Sequence, residues 1–377
     1  MPQVGGVALP ERSPNLRRTH EAFVSKLHRW DEHLRNAGLG SPPSDKADEA
    51  LLALSPDPNA PPRVLVVYTY AHADWRLLNL AFFLRNGLVA ASRDGTPVDY
   101  TFVFNGEAPL YVFQDLGLRY SIAKNVDMGF ADKLGSSGGE NEASRLGNVE
   151  GLPGQPLISI VLRENQGFDM CASKLVLERG WAARPGKYTL VVLMNASVRG
   201  PFMPSYASSA FTWVDAFISR LGGADGVRMV GTTINCLSSR RDAASGAFSS
   251  LHVQSMVLAL DRPGLHAMHP MLRCYDEMLE AISHGEVGST QAVLTAGYAV
   301  AALQSSWRGF AVRKDNLASD EVVRRCAAVS EDSGGDPVTP GAYLRGDVHP
   351  YEVIFIKTNR HLDANVLGRF TLLQGSF

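Results

Sequence analysis

The chain has 377 residues, 45% hydrophobic and 20% charged, which supplies a globular core and excludes a chain disordered throughout. Lys and Arg total 36 against 38 Asp and Glu, a formal net charge of −2, which argues against nucleic-acid or anionic-lipid binding through bulk charge. No run approaches the roughly 20 apolar residues of a membrane span, and the first residues, with Glu11, Arg12, Arg17 and Arg18, lack a signal-peptide core, so a soluble chain is expected.

In chain order, residues 1–62 read as an extension in which polar, Pro-rich stretches flank one amphipathic helix. Phe23, Leu27, Trp30 and Leu34 recur at helical spacing and Gly38 is a plausible stop, so the helix is expected to dock on the main domain. Residues 63–377 are expected to form that domain. Apolar runs at 64–70, 100–104, 157–162, 188–194, 227–234, 252–260 and 351–357 read as strands. Helices are expected from Asp74, as N-cap, to Gly87, over 169–178 with Asp169 as a possible cap, over 264–282 and over 286–303. This alternation predicts an α/β fold with a mostly parallel sheet and helices on both faces.

Three segments read as loops: 133–156, an expected insertion; 237–250, a candidate lid; and 331–341. Cys171, Cys236, Cys274 and Cys326 form no Cys-x-x-Cys pair, so neither a zinc site nor a disulfide scaffold is expected and the thiols are taken as reduced and buried. The phosphate-cradling glycine signatures of NTPases and dinucleotide enzymes are absent. Gly135 to Gly139 matches a nucleophile elbow around Ser137, but its neighbours are polar where an apolar strand and a helix are needed. His20-Glu21 opens a zincin-like pattern that Val24 breaks.

In open α/β sheets ligands sit beyond the carboxyl ends of the strands. There the chain places Tyr68, Thr69 and Tyr70, with His72 and Asp74; Asn105-Gly106-Glu107; Arg163, Asn165, Gly167 and Asp169; and Asn195, Ser197 and Arg199. Each cluster also has a structural role open to it, as a cap, a turn or an ion pair.

The succession resembles the rhamnan-synthesis F family of glycosyltransferase-like proteins, including algal and fungal relatives. The resemblance lies in Asn165-x-Gly167-x-Asp169, in Asn195-x-Ser197-Val198-x-Gly200-Pro201, and in His252-x-Gln254-Ser255. It continues through Glu286, Gly297 and Tyr298, then His349-Pro350-Tyr351-Glu352 and Lys357-Thr358-Asn359-Arg360, and covers residues 63–360. It implies a GT-A-like, Rossmann-like single catalytic domain that moves a sugar from a nucleotide-sugar donor to a glycan or other hydroxyl acceptor, as in polysaccharide biosynthesis.

The chain departs from the family pattern at Ala196, where an Asp is usual, and contains no Asp-x-Asp. Such acids ordinarily hold Mg²⁺ or Mn²⁺ on the donor diphosphate, so metal dependence is doubtful and Arg163 and Arg199 are candidates to offset the charge. Glu286, expected in a helix's first turn, is the candidate catalytic base, and a non-catalytic helix-end acid is the other role open to it. His252 and Gln254, on one face of a strand, would line the acceptor or phosphate pocket. The clusters from Tyr68 to Arg199 would bind the donor. A non-catalytic carbohydrate- or nucleotide-binding protein on the same fold is the alternative, and the compartment is left between cytoplasm and Golgi.

Overall fold

The computed structural model describes residues 62–123, 155–178, 188–207, 210–237, 242, 245–360 and 362–374. The expected Trp30 helix, the Ser137 segment, most of the 133–156 loop and Ser238 to Arg241 lie outside the described residues.

Eight strands build the central sheet: β1 (Val64–Ala71), β2 (Val98–Asn105), β3 (Ser121–Ala123), β4 (Ile158–Arg163), β5 (Leu190–Asn195), β7 (Val227–Gly231), β10 (Val257–Asp261) and β11 (Ala299–Ala302). Their order is β11-β7-β10-β5-β1-β2-β4-β3. Every pairing is parallel except those of β10, which runs antiparallel to β5 and β7. Short strands β6 (Val198–Arg199) and β12 (Ile356–Lys357) pair with each other, as do β8 (Ile234–Asn235) and β9 (His252–Val253). The mostly parallel α/β sheet expected from the sequence is the one observed.

Alternate residues of each strand serve opposite faces, and helices cover both. Tyr68, Tyr70, Phe102 and Phe104 point toward α1 (Asp74–Asn86), α2 (Leu110–Asp115) and α4 (Trp213–Ile218). On this face Phe83 meets the rings of Tyr68, Tyr100, Phe102, Trp213 and Phe355. Leu65, Val67, Val103 and Leu193 point the other way, toward α3 (Phe168–Val176), α5 (Arg262–Met268) and α6 (residues 278–295). Helix α6 runs as α over Met278–Glu280, as a π segment over Ala281–Val287 and as α again over Gly288–Thr295. The C-terminal part adds α7 (Asp320–Cys326), α8 (Pro350–Val353) and α9 (Ala364–Leu373).

Several expectations are corrected. Residues 299–302, read as the end of a helix, are strand β11, fully buried beside β7; a short apolar run rich in alanine carries no periodicity to distinguish the two. The 252–260 run is broken by a turn into β9 and β10, and the 351–357 run becomes helix α8 followed by the two-residue β12. Ala73 rather than Asp74 is the N-cap of α1, and Gly167 rather than Asp169 precedes α3. The cysteines are not reduced: Cys171 pairs with Cys274 and Cys236 with Cys326, across sequence separations of 103 and 90. Spacing senses local motifs, and these partners meet only through the fold.

Asn79, fully buried in α1, binds the C-terminal segment to the sheet. Its Nδ2 donates to Ala196 O (2.9 Å) and Thr358 Oγ1 (2.8 Å), and its Oδ1 accepts from Arg199 Nε (3.0 Å). Thr358 N in turn donates to Ser197 O at 2.9 Å, continuing the pairing of Lys357 with Val198. Replacing Asn79 with Leu leaves the buried Ala196 carbonyl and the half-buried Thr358 and Arg199 without this partner, so a loss of about 3 kcal/mol is expected in chemical denaturation.

Candidate functional site

Because β1, β2, β4 and β5 are parallel neighbours, their carboxyl ends form one rim. Asn105, Arg163 and Asn195 stand at three of those ends. From Arg163 the chain turns through exposed Glu164, Asn165 and Gln166 to Gly167. Gly167 has φ +67°, and a Cβ there would come within 2.8 Å of Cys274 Cβ and 2.9 Å of Cys171, so glycine is required by conformation and by space. Helix α3 then starts, with Asp169 in its first turn.

Asp169 Oδ2 accepts from Asn195 Nδ2 at 2.7 Å, and Asn195 Oδ1 accepts from Ser197 N (3.1 Å) and Oγ (2.5 Å). The strand end β5 therefore holds the carboxyl at the head of α3, and the amide of the only Asn-x-Ser sequon is engaged there. A cavity of about 10 Å³, roughly what a single water requires, lies beside it, lined in part by Asp169, Ser173, Met194 and Ser255.

Glu286 enters from α6. The sequence suggested the first turn of a helix; instead it lies deep in the helix, in the π segment, so no terminal dipole explains it. π segments add a residue to a turn and re-aim side chains, often at functional sites. Glu286 Oε1 accepts from Ser255 N at 2.8 Å. Burial pushes its carboxyl up, but His252, Lys357 and the Ser255 N–H outweigh that and hold it below its ordinary value. Asp169 goes the other way: burial raises it, the nearby charge of Glu286 adds to the rise, and Asn195 and Lys357 only partly oppose it. Two half-buried carboxyls thus carry opposite displacements, and the charge of one, Glu286, adds to the rise of the other.

Other residues singled out from the sequence are divided by the sheet. Tyr68 and Tyr70 are buried in the aromatic face, with Tyr70 OH against His72 Nδ1 at 3.1 Å. Burial pushes the Tyr68 hydroxyl far up, and it has no hydrogen-bond partner among the described residues. Thr69 points to the Asp169 face but is 4% exposed. Arg199 turns to the aromatic face and donates to Asn79 Oδ1 and, at 3.3 Å, to Thr371 Oγ1, away from Asp169 and Glu286. Arg163 is nearly buried and committed to Asn105 Oδ1 (3.0 Å), Gln166 O (2.7 Å) and Cys171 Sγ (3.3 Å); it shapes the turn.

His252 and Gln254 do not share a strand face, because β9 ends at Val253. His252 Nδ1 lies 2.9 Å from Ser250 O, a carbonyl that can only accept, so this nitrogen donates, and His252 is among the groups that lower Glu286. Gln254 joins a neighbouring network: its Oε1 accepts from Thr233 Oγ1 (2.7 Å) and its Nε2 donates to Asp336 Oδ1 (3.1 Å), while Arg360 lies 3.5 Å from Asp336. Sequence reasoning missed Lys357 as a site cation, together with Ser255 and Asp336. The Lys357-Thr358-Asn359-Arg360 run was the available signal, but only β12 pairing with β6 brings it to the rim.

Among the described residues, no three His, Cys, Asp or Glu side chains converge as metal ligands. Asn195 Oδ1 accepts from Ser197 and Glu286 Oε1 from Ser255, and Lys357 adds positive charge, so among the described residues the site offers Mg²⁺ or Mn²⁺ two carboxyls and no third His, Cys, Asp or Glu.

No family model and no curated protein matches the sequence. Among solved structures, the chain is similar to the mannosyltransferase PcManGT from Pyrobaculum calidifontis in complex with GDP-Man and Mn²⁺, at 13% identity and TM-score 0.35, over 87% of this chain and 79% of that one. It is also similar to mouse xyloside xylosyltransferase 1 in its apo form, at 9% identity and TM-score 0.36, over 81% and 98%.

The opposed carboxyls give opposed pH signatures. A raised Asp169 contributes stability that is complete below its ordinary value of 3.8 and is lost as pH rises through its folded value. A lowered Glu286 contributes stability above its ordinary 4.5 that is lost as pH falls through its folded value. Thermal melts from pH 3 to 8 should show Asp169→Asn gaining on wild type as pH rises, and Glu286→Gln falling behind it.

Proposed function

We propose that the chain is a glycosyltransferase that moves a sugar from a nucleotide-sugar donor to a hydroxyl of a glycan or other acceptor, a step of polysaccharide or glycan synthesis. The observation that carries this is the Asp169–Glu286 pair, set beyond parallel strand ends with opposite pKa displacements and Lys357 beside it. Glu286, held ionised, takes the proton of the acceptor hydroxyl as that oxygen bonds to the anomeric carbon. The bond from that carbon to the diphosphate breaks, and the nucleoside diphosphate leaves with its electron pair. Lys357 opposes the charge that develops on the leaving group, the part first given to Arg163 and Arg199. Asp169, oriented by Asn195, is placed to hold donor hydroxyls. The two disulfides support an oxidising lumen of Golgi type over the cytoplasm as the working compartment.

A second reading, a non-catalytic carbohydrate- or nucleotide-binding protein, is favoured by Ala196. That residue is 2% exposed, packs in the aromatic face and contributes no ligand. Incubation with UDP-, GDP- and dTDP-sugars, with and without Mn²⁺, separates the two readings: a transferase gives at least slow donor hydrolysis, and a binder gives only a thermal shift.

Glu286→Gln keeps size and hydrogen-bonding capacity but cannot accept the proton. Turnover should fall by roughly a hundredfold or more with donor affinity retained, read in a single-turnover assay. Lys357→Ala should weaken both donor binding and turnover.

A further inference from the structure

Asp169 and Glu286 come from segments more than a hundred residues apart, and two contacts hold those segments together. Met170, next to Asp169, packs on Gly285, next to Glu286: a Cβ at 285 would lie 3.3 Å from Met170 Cγ and 3.1 Å from the Tyr275 ring. One residue further along α3, Cys171 is bonded to Cys274, which adjoins Tyr275, and the Tyr275 ring stacks on His284 at 6.3 Å. The bond therefore joins the start of the Asp169 helix to the chain leading into the Glu286 helix, and Gly167 is kept free of a side chain by the same sulfur pair. The two disulfides differ in access. Cys236 and Cys326 are both buried, whereas Cys274 is exposed at its end of the bond.

We infer that the Cys171–Cys274 disulfide is a positioning element of the site, holding Asp169 against the Glu286 helix, and that its opening by a small dithiol switches the site off. This rests on the reading of Asp169 and Glu286 as the working pair. In the step, a thiolate of the dithiol attacks the sulfur of Cys274, the exposed residue of the pair, and the S–S bond breaks. The second thiol closes the reductant to its cyclic disulfide, and the two cysteines gain two electrons and two protons. Once α3 is free of the bond, Asp169 moves off the charged groups around the pair: Glu286 from α6, Lys357 from β12 and, beside Glu286, His252 from β9.

The test compares the full-length chain with the Cys171→Ser/Cys274→Ser and Cys236→Ser/Cys326→Ser double variants. The readouts are melting temperature against pH and, with the donor that wild type turns over, kcat and KM separately. The site-bond variant should lose the part of the pH dependence that Asp169→Asn also removes, and with kcat lowered and donor KM raised its kcat/KM should fall about a hundredfold. The other variant should melt lower at every pH and keep both properties. The inference is overturned if the site-bond variant retains the Asp169-dependent slope, or if the two variants behave alike. If wild type turns over no nucleotide sugar, the glycosyltransferase reading falls while the melting comparison still decides the inference. Should the site-bond variant not fold, wild type is reduced stepwise with dithiothreitol and the open cysteines are alkylated and mapped by mass spectrometry. Loss of the Asp169 slope in step with opening of Cys171–Cys274 is expected, and loss only when Cys236–Cys326 opens would overturn the inference.

Discussion

The side-chain amide of Asn79 has no access to water, so each of its polar atoms has to find a protein partner. It does so by drawing onto α1 the turn after β5 through Ala196, β6 through Arg199, and the segment after β12 through Thr358, pieces that also bond one another. That constraint lays the last strand across the carboxyl ends of the sheet. Lys357 reaches the rim by pairing with Val198, and the Asn79 contact with Thr358 secures that pairing. Loss of this amide would loosen the site cation together with the fold, so stability and function meet in one buried group.

A second level of organisation is the separation of the two sheet faces. The aromatic face is dry and carries the rings around Phe83, and truncation of that side chain to Ala would cost about 3 to 5 kcal/mol. The opposite face ends in polar groups, with Asn195 at a strand end, Asp169 in the first turn of α3 and Glu286 in α6. Polar chemistry collects on this face because α3 begins at the rim with a glycine-permitted turn, and because α6 brings a π segment to the same place. Arg199 illustrates the cost of the wrong face: its guanidinium is satisfied by Asn79 and Thr371, away from the carboxyls.

The site is also the place where distant chain segments are covalently joined. Burial raises Asp169 while His252, Lys357 and the Ser255 N–H lower Glu286, and the charge of Glu286 adds to the rise of Asp169 because their elements are packed closely. Close packing depends on the missing side chain of Gly285 and on the Cys171–Cys274 bond beside it. Position, charge and redox state are in this way properties of one small contact between α3 and α6.

By itself the sequence determined the α/β class, the placement of β1 and α1 almost to the residue, and the polar clusters at Asn105, Arg163, Asp169 and Asn195. Those features are local: an apolar β-branched run, a helix stop at Gly87, polar residues directly after a strand. Only the tertiary structure decided which clusters meet. Strand β11 was hidden in a short alanine-rich run that suits helix and strand alike, and the cysteine pairs were hidden by separations of 103 and 90 residues. The parting of Tyr68 and Arg199 from Asp169, and the arrival of Lys357, followed from which face of a strand each side chain takes and which strand it pairs with. Sequence periodicity reports a face but not the partner across it, because strand pairing and helix docking are set by contacts between residues far apart in the chain.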